Sequence, residues 1–260
     1  MVLRPIFDSD PDPAPHFVPA WTAVEAQQKR KADAWWLITQ PDHAALSGEI
    51  ALHFSRDDFA KVDPQIVRAI SMHDAGWELF ESDPKKLPSL HPDGRPVSFF
   101  EVQPQTFLRA WTASVDRAEE ESAIGGYMVS QHFAWLGEYR LRRAEDPLGV
   151  QEQIVTFLSR EQRRQSELKR ASADTSRWDS LLPLLQFCDL FSLYLCSGAQ
   201  QPVEFPQEFA SGRVRARFEH GVCVLSPTTF PGDVNVPFRA RRYPRTSIHE
   251  DSTWISVTVR

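Results

Sequence analysis

The sequence is short of cysteine, of basic surface and of long apolar runs, and each shortage removes a class of protein. Three cysteines occur in 260 residues, Cys188, Cys196 and Cys223, and no CxxC pair is among them. An odd count without that spacing argues against a disulfide framework or a cysteine-built zinc site. Cys188 and Cys196 stand eight residues apart on one expected helix, about 12 Å by helical rise and beyond the reach of a bridge. All three read as reduced, buried thiols, and a cytoplasmic location is expected. The net charge is −6, and without a basic stripe no nucleic-acid polymer is expected as a partner. The short basic run "RARRYPR" (239–245) reads as a solvated edge strand. The most apolar stretch, "LLPLLQFCDLFSLYLC" (181–196), has 16 residues with an aspartate near its centre. A membrane span needs about 20 apolar residues, so this is a core helix and no membrane partner is expected. The N-terminal "MVLRPIFDSDPDPAPHF" lacks the apolar region of a signal peptide. GxSxG, HExxH and Walker sequences are also missing, which leaves the common hydrolase and nucleotide-binding loops without a carrier.

What is present suits a globular protein, with 42% hydrophobic and 25% charged residues and length for a sizeable core. "DSDPDPAPHF" (8–17) is a loop by its proline spacing, and "AWWLIT" (34–39) is a short strand or extended run. Asp42 can cap a helix from His43 to about residue 55. Asp63 and Pro64 start a second helix that carries "SMHDAGW" (71–77). A long polar loop follows over 82–99. Helical periodicity then predicts helices near 103–118, 120–143, 150–171 and 178–197. After residue 198 the pattern alternates, and a small antiparallel sheet is expected, open to the N-terminal strand-like segments. The expected fold is therefore mainly α. Residues 1–198 form a helical body and 199–260 a C-terminal β element, fused as one domain.

Four expected helices put metal-ligating side chains on an inward face. Residues three and four apart share a face. His132 has Met128, Val129, Trp135 and Leu136 beside it, and Asp189 has Leu185, Gln186, Ser192 and Leu193. His73-Asp74 follows Ala69 and Ile70, and His43 lies with Leu46, Ser47 and Ile50. A carboxylate in so apolar a helix as that of Asp189 takes up a proton, finds a partner or binds a metal. Imidazole with carboxylate suits zinc, iron or manganese.

The segments "QPDHAALSGEIALHF", "AISMHDAGW", "VSQHFAWL" and "LQFCDLFSLYL", in that order over residues 40–197, resemble the HD-domain superfamily of metal-dependent phosphohydrolases. They also look like an uncharacterised family within or near it. The resemblance implies an HD-type helical bundle in which His43, His73, Asp74 and Asp189 bind one divalent Mn, Fe or Zn ion. His132 is the candidate for a second ion, and Asp74 is the catalytic carboxylate that orients or deprotonates the attacking water. Trp77 stands where many catalytic members carry lysine, and Glu78 is the nearest substitute. On the long loop, His91 and Arg95, with Lys85 and Lys86, are the candidates for contact with an anionic substrate.

The reading that follows is a metal-dependent hydrolase acting on a phosphoester of a small molecule or a nucleotide. A second keeps the metal but has two irons activating oxygen. In the first reading the C-terminal sheet would shape the pocket or mediate a homodimer. A third reading is a binding module that kept the bundle and lost catalysis; Trp77 speaks for it.

Overall fold

Alternation builds the sheet. The computed structural model describes residues 1–7, 16–55, 62–83, 86–210, 212–245 and 252–260. In β5 (Gly212–Glu219), Val214 and Ala216 are buried while Arg213, Arg215 and Arg217 face solvent. In β7 (Val234–Tyr243), Val236, Phe238 and Ala240 are buried in the same rhythm. The other strands are β1 (Val2–Ile6), β2 (Val18–Pro19), β3 (Ala34–Ile38), β4 (Val203–Phe209), β6 (Val222–Ser226) and β8 (Thr253–Val259). Together they form one eight-stranded sheet in the order β1-β3-β7-β8-β6-β5-β4-β2.

This corrects the expectation of a mainly α bundle with a small antiparallel sheet. Helix takes about 52% of the chain and strand about 22%, and the sheet curls into half a barrel. It is also mixed, because β6 pairs with β8 and β2 with β4 in parallel. The physical reason is β7. Its ten residues pair first with β8, Val234 opposite Val259 through Ala240 opposite Thr253, and then with β3, Tyr243 opposite Trp35. One long strand thereby sews the N-terminal strands to the C-terminal ones, a pairing between segments about 200 residues apart that local periodicity does not carry. The run 239–245 is consequently not an edge, since Arg239 pairs with Trp254 and Arg241 with Leu37.

The helices are α1 (Ala20–Gln28), α2 (Gln40–His53), α3 (Pro64–Ser71), α4 (Glu78–Glu81), α5 (Pro104–Glu121), α6 (Ala123–Arg143), α7 (Leu148–Ala171) and α8 (Leu182–Ser197). The proline-rich 8–15, within the expected loop 8–17, lies outside the described residues. α8 is the axis of the fold. It contacts α1, α2 and α6 as well as β1 and β4, and Phe187, Phe191, Tyr194 and Leu195 are almost wholly buried on it. The segment Trp178–Ser197 is long and apolar enough to cross a membrane, but 72% of it is buried inside the fold.

Two local features differ from expectation in ways that matter for the site. α2 starts three residues earlier, at Gln40, because Thr39 rather than Asp42 caps it: Thr39 Oγ1 accepts from the Asp42 amide at 3.1 Å. The second helix, capped by Asp63 as expected, stops at Ser71. His73 and Asp74 therefore sit in the turn between it and a single 3-10 turn over Ala75–Trp77. A glycine fixes that turn. The Gly76 amide donates to Ser114 Oγ at 2.9 Å, and a Cβ on Gly76 would lie 2.1 Å from the Ala110 carbonyl oxygen and 2.5 Å from the Ser114 nitrogen. Both neighbours are α5 backbone, which cannot swing aside. Gly76→Ala is expected to cost about 1–3 kcal/mol through forced displacement, read as a Tm several degrees lower by calorimetry; an unchanged Tm would show that the turn is not pinned by this contact.

Candidate metal centre

Four elements converge on one buried spot. α2 brings His43, the turn after α3 brings His73 and Asp74, α6 brings His132, and α8 brings Asp189. His43, His73, Asp74 and His132 are all buried. Close backbone approach draws α2 toward the turn, because Gly48 leaves no room for a side chain against Ser71. His43 Nε2 lies 2.8 Å from Asp74 Oδ2, and His73 Nε2 lies 3.3 Å from Asp189 Oδ1 and 3.9 Å from Asp74 Oδ2. His132 Nε2 stands 3.7 Å from Asp189 Oδ2. The donor atoms of His43, His73 and Asp74 fall within 4.8 Å of one another, and so do those of His73, His132 and Asp189. The two triads share His73.

The hydrogen bonds behind these side chains decide which ring atoms are free. Ser192 donates its hydroxyl proton to the Asp189 carbonyl at 2.7 Å. Its Oγ, with Ser47 Oγ 2.9 Å away, lies 2.9 Å from His43 Nδ1. The His73 Nδ1–H donates to the Ile70 carbonyl at 2.8 Å. Both rings are thus held through Nδ1 with Nε2 turned into the cluster, and His73 is fixed with Nδ1 protonated. Each Nε2 faces a carboxylate oxygen, an arrangement that accommodates a proton or a cation between them. His73 Nε2 is buried without a hydrogen-bond partner, which leaves a ring nitrogen of the cluster open to a ligand. Histidines with Nδ1 pinned by the protein and Nε2 presented beside carboxylates are the donor set of a transition-metal site. The residues fit an ion.

The electrostatics agree. Burial works against a charge on His73, but the Asp189 carboxylate beside Nε2 and the charge of Asp74 outweigh it and hold the imidazole up at about 9. Burial would raise Asp189, yet His73 and its histidine neighbours bring it down to about 2. His132 is pushed down to about 4, chiefly by burial, and is a neutral imidazole at neutral pH. Burial also raises the thiol of Cys188, beside Asp189 in sequence, well above its ordinary range, so it is no nucleophile.

A cavity of about 410 Å³ opens onto His43, Asp74, His132 and Asp189. Of the substrate contacts expected on the long loop, none of the described ones, His91, Arg95 and Lys86, lines it. Arg95 gives both guanidinium nitrogens to Glu101, at 2.9 and 2.6 Å, and His91 Nε2 lies 3.2 Å from the same carboxylate. Lys86 is exposed, and Lys85 lies outside the described residues. Glu78 pairs with Arg117 at 2.6 Å and does not line the cavity. The cations that do line it are Lys29, Arg140 and Arg143. Arg140 and Arg143 continue the face of α6 that His132 begins, at spacings of eight and eleven residues, and that extension is legible in the sequence. Ser47 and Ser192 were likewise within sight, one helical turn from His43 and Asp189.

A family model described as "Protein of unknown function (DUF3891)" matches residues 28–244. No curated protein and no solved structure matches the chain.

Two outcomes follow from the tautomers and the charges. Ser192→Ala removes the hydroxyl that holds His43 Nδ1, and metal affinity should fall about 10–100-fold with the circular dichroism spectrum unchanged; equal affinity would mean that Ser192 does not orient the ring. His73 keeps a proton below about 9, and an ion at Nε2 must displace it. Metal binding should therefore release protons and tighten about tenfold or more per pH unit between roughly pH 6.5 and 8.5, levelling off above. Manganese titrations that give one dissociation constant across that window would contradict the assignment of His73 as a ligand.

Proposed function

The chain belongs to this family of unknown function, its match covering most of the sequence, and from the side chains of the buried cluster we propose that it is a metal-dependent hydrolase of the HD type, acting on a phosphoester of a small molecule or a nucleotide. The observation that carries the proposal is the convergence of His43, His73, Asp74 and Asp189, with both imidazole rings held through Nδ1 so that Nε2 points at carboxylates. His43, His73, Asp74 and Asp189 would hold the ion. When bound, it would supply Lewis acidity, lowering the pKa of a water and offsetting charge on the phosphoryl oxygens.

The chain's own groups supply the rest. Asp74 borders the cavity as well as the cluster, so its carboxylate can accept a proton from the attacking water. His132 is neutral, so it serves as a hydrogen-bond partner at the leaving-group oxygen and not as an imidazolium acid. Arg140 and Arg143 are each held by a carboxylate, Asp146 and Glu145. They orient an anion at the cavity rim but bring little net positive charge, which leaves most of the neutralisation to the ion. Two overlapping triads that share His73 suit one ion better than two, so the reading with a pair of irons is the weaker one. A cytoplasmic setting accords with the buried free cysteines.

The test is turnover. Protein loaded with manganese, iron or zinc should hydrolyse a member of a panel of phosphomonoesters, phosphodiesters and nucleotides. Asp74→Asn should lower the rate by about 10²–10⁴-fold. A full complement of metal with no turnover on any member would contradict hydrolysis and favour the binding-module reading.

A further inference from the structure

A second chamber of about 630 Å³ also reaches the cluster. It touches His132 and Asp189, and it shares Trp21, Leu136 and Tyr139 with the first cavity. Its chemistry is different. Phe17, Trp21, Trp135, Tyr139 and Phe205 line it, and Trp135 and Tyr139 are stacked on one another, with centroids 5.7 Å apart and planes 10° from parallel. At its mouth Arg215 lies over Phe17, but that arginine and Arg213 are already bonded to Glu204 and Glu208. The mouth is therefore no open anion site. Two polar groups among the lining residues are buried without a partner, the Gln186 Nε2 donor and the Gln207 Oε1 acceptor. A chamber of this size is in the range of a small-molecule site. Flat aromatic walls with one donor and one acceptor select a planar aromatic group with a polar edge over a sugar or an aliphatic chain.

We propose that this chamber binds an aromatic group of the substrate and holds it against the His132–Asp189 edge of the metal centre. The ester oxygen would join that group to the part that reacts, so the chain would prefer aryl-bearing esters to small alkyl ones. Only the nature of the reacting group rests on the hydrolase reading; the aromatic site stands on the walls of the chamber.

The probe is 2-naphthol, titrated into the full chain stripped of metal with a chelator and followed by the emission of naphthol itself. Saturable binding is expected, weakened about tenfold in Phe17→Ala and in Trp135→Ala. These two side chains are 41% and 38% exposed, so their removal does not open the core. Leu148→Ala, at a residue 77% exposed at the start of α7, should leave it unchanged. With metal loaded, 2-naphthyl phosphate should bind at least about tenfold tighter than methyl phosphate. Absence of saturable naphthol binding, or equal affinity in both aromatic variants, would overturn the site. Equal affinity for the two phosphates would overturn its link to the metal centre. Failure to take up metal would instead overturn the hydrolase reading, and the naphthol titration would still decide the chamber.

Discussion

Two imidazole Nε2 atoms aimed at two buried carboxylates are the constraint on which the rest of this structure depends. His43 Nε2 faces Asp74 at 2.8 Å and His73 Nε2 faces Asp189 at 3.3 Å, and the buried Asp189 carboxylate needs positive charge beside it. A proton on His73 supplies it, which is why that ring is held up at about 9 and Asp189 down at about 2. The ion of the proposed function would supply it better, because it would satisfy several donors at once and need no ring to carry a charge in a buried place.

The scaffold can be understood as the means of holding that arrangement. α8 carries Asp189 through the centre of the core and keeps it close to α1, α2 and α6. The curled sheet backs α8 and α2, and its long strand β7 binds the two ends of the chain into that support. On the other side, α5 grips the turn that carries His73 and Asp74 through Gly76 and Ser114. Rigid helices around one short turn suit a site that must hold its ligands in register.

The clustered residues could be picked out of the sequence because His43, His132 and Asp189 each carry a local signal, a polar residue on an apolar helix face. His43, His132 and Asp189 lie on the helices that periodicity predicts. The sheet was not legible to the same degree. Its strands alternate as expected, but which strand lies beside which depends on contacts such as Trp35 with Tyr243, and periodicity says nothing about distant partners. The helix over His73-Asp74 was read too long because "AISMHDAGW" has helical residues throughout, while the break is set by Gly76 meeting α5. Arg95 shows the same limit: its sequence context says only that it is a cation on a long loop, and the fold shows it paired with Glu101.

The most direct measurement is elemental analysis of the purified protein, wild type beside His73→Ala and Asp189→Ala, each supplied with manganese, iron and zinc. The account predicts about one equivalent of a transition metal in the wild type, lost in both variants while each keeps its helical circular dichroism. No metal in any sample would contradict it, and the cluster would then be a proton-linked set of hydrogen bonds in the core.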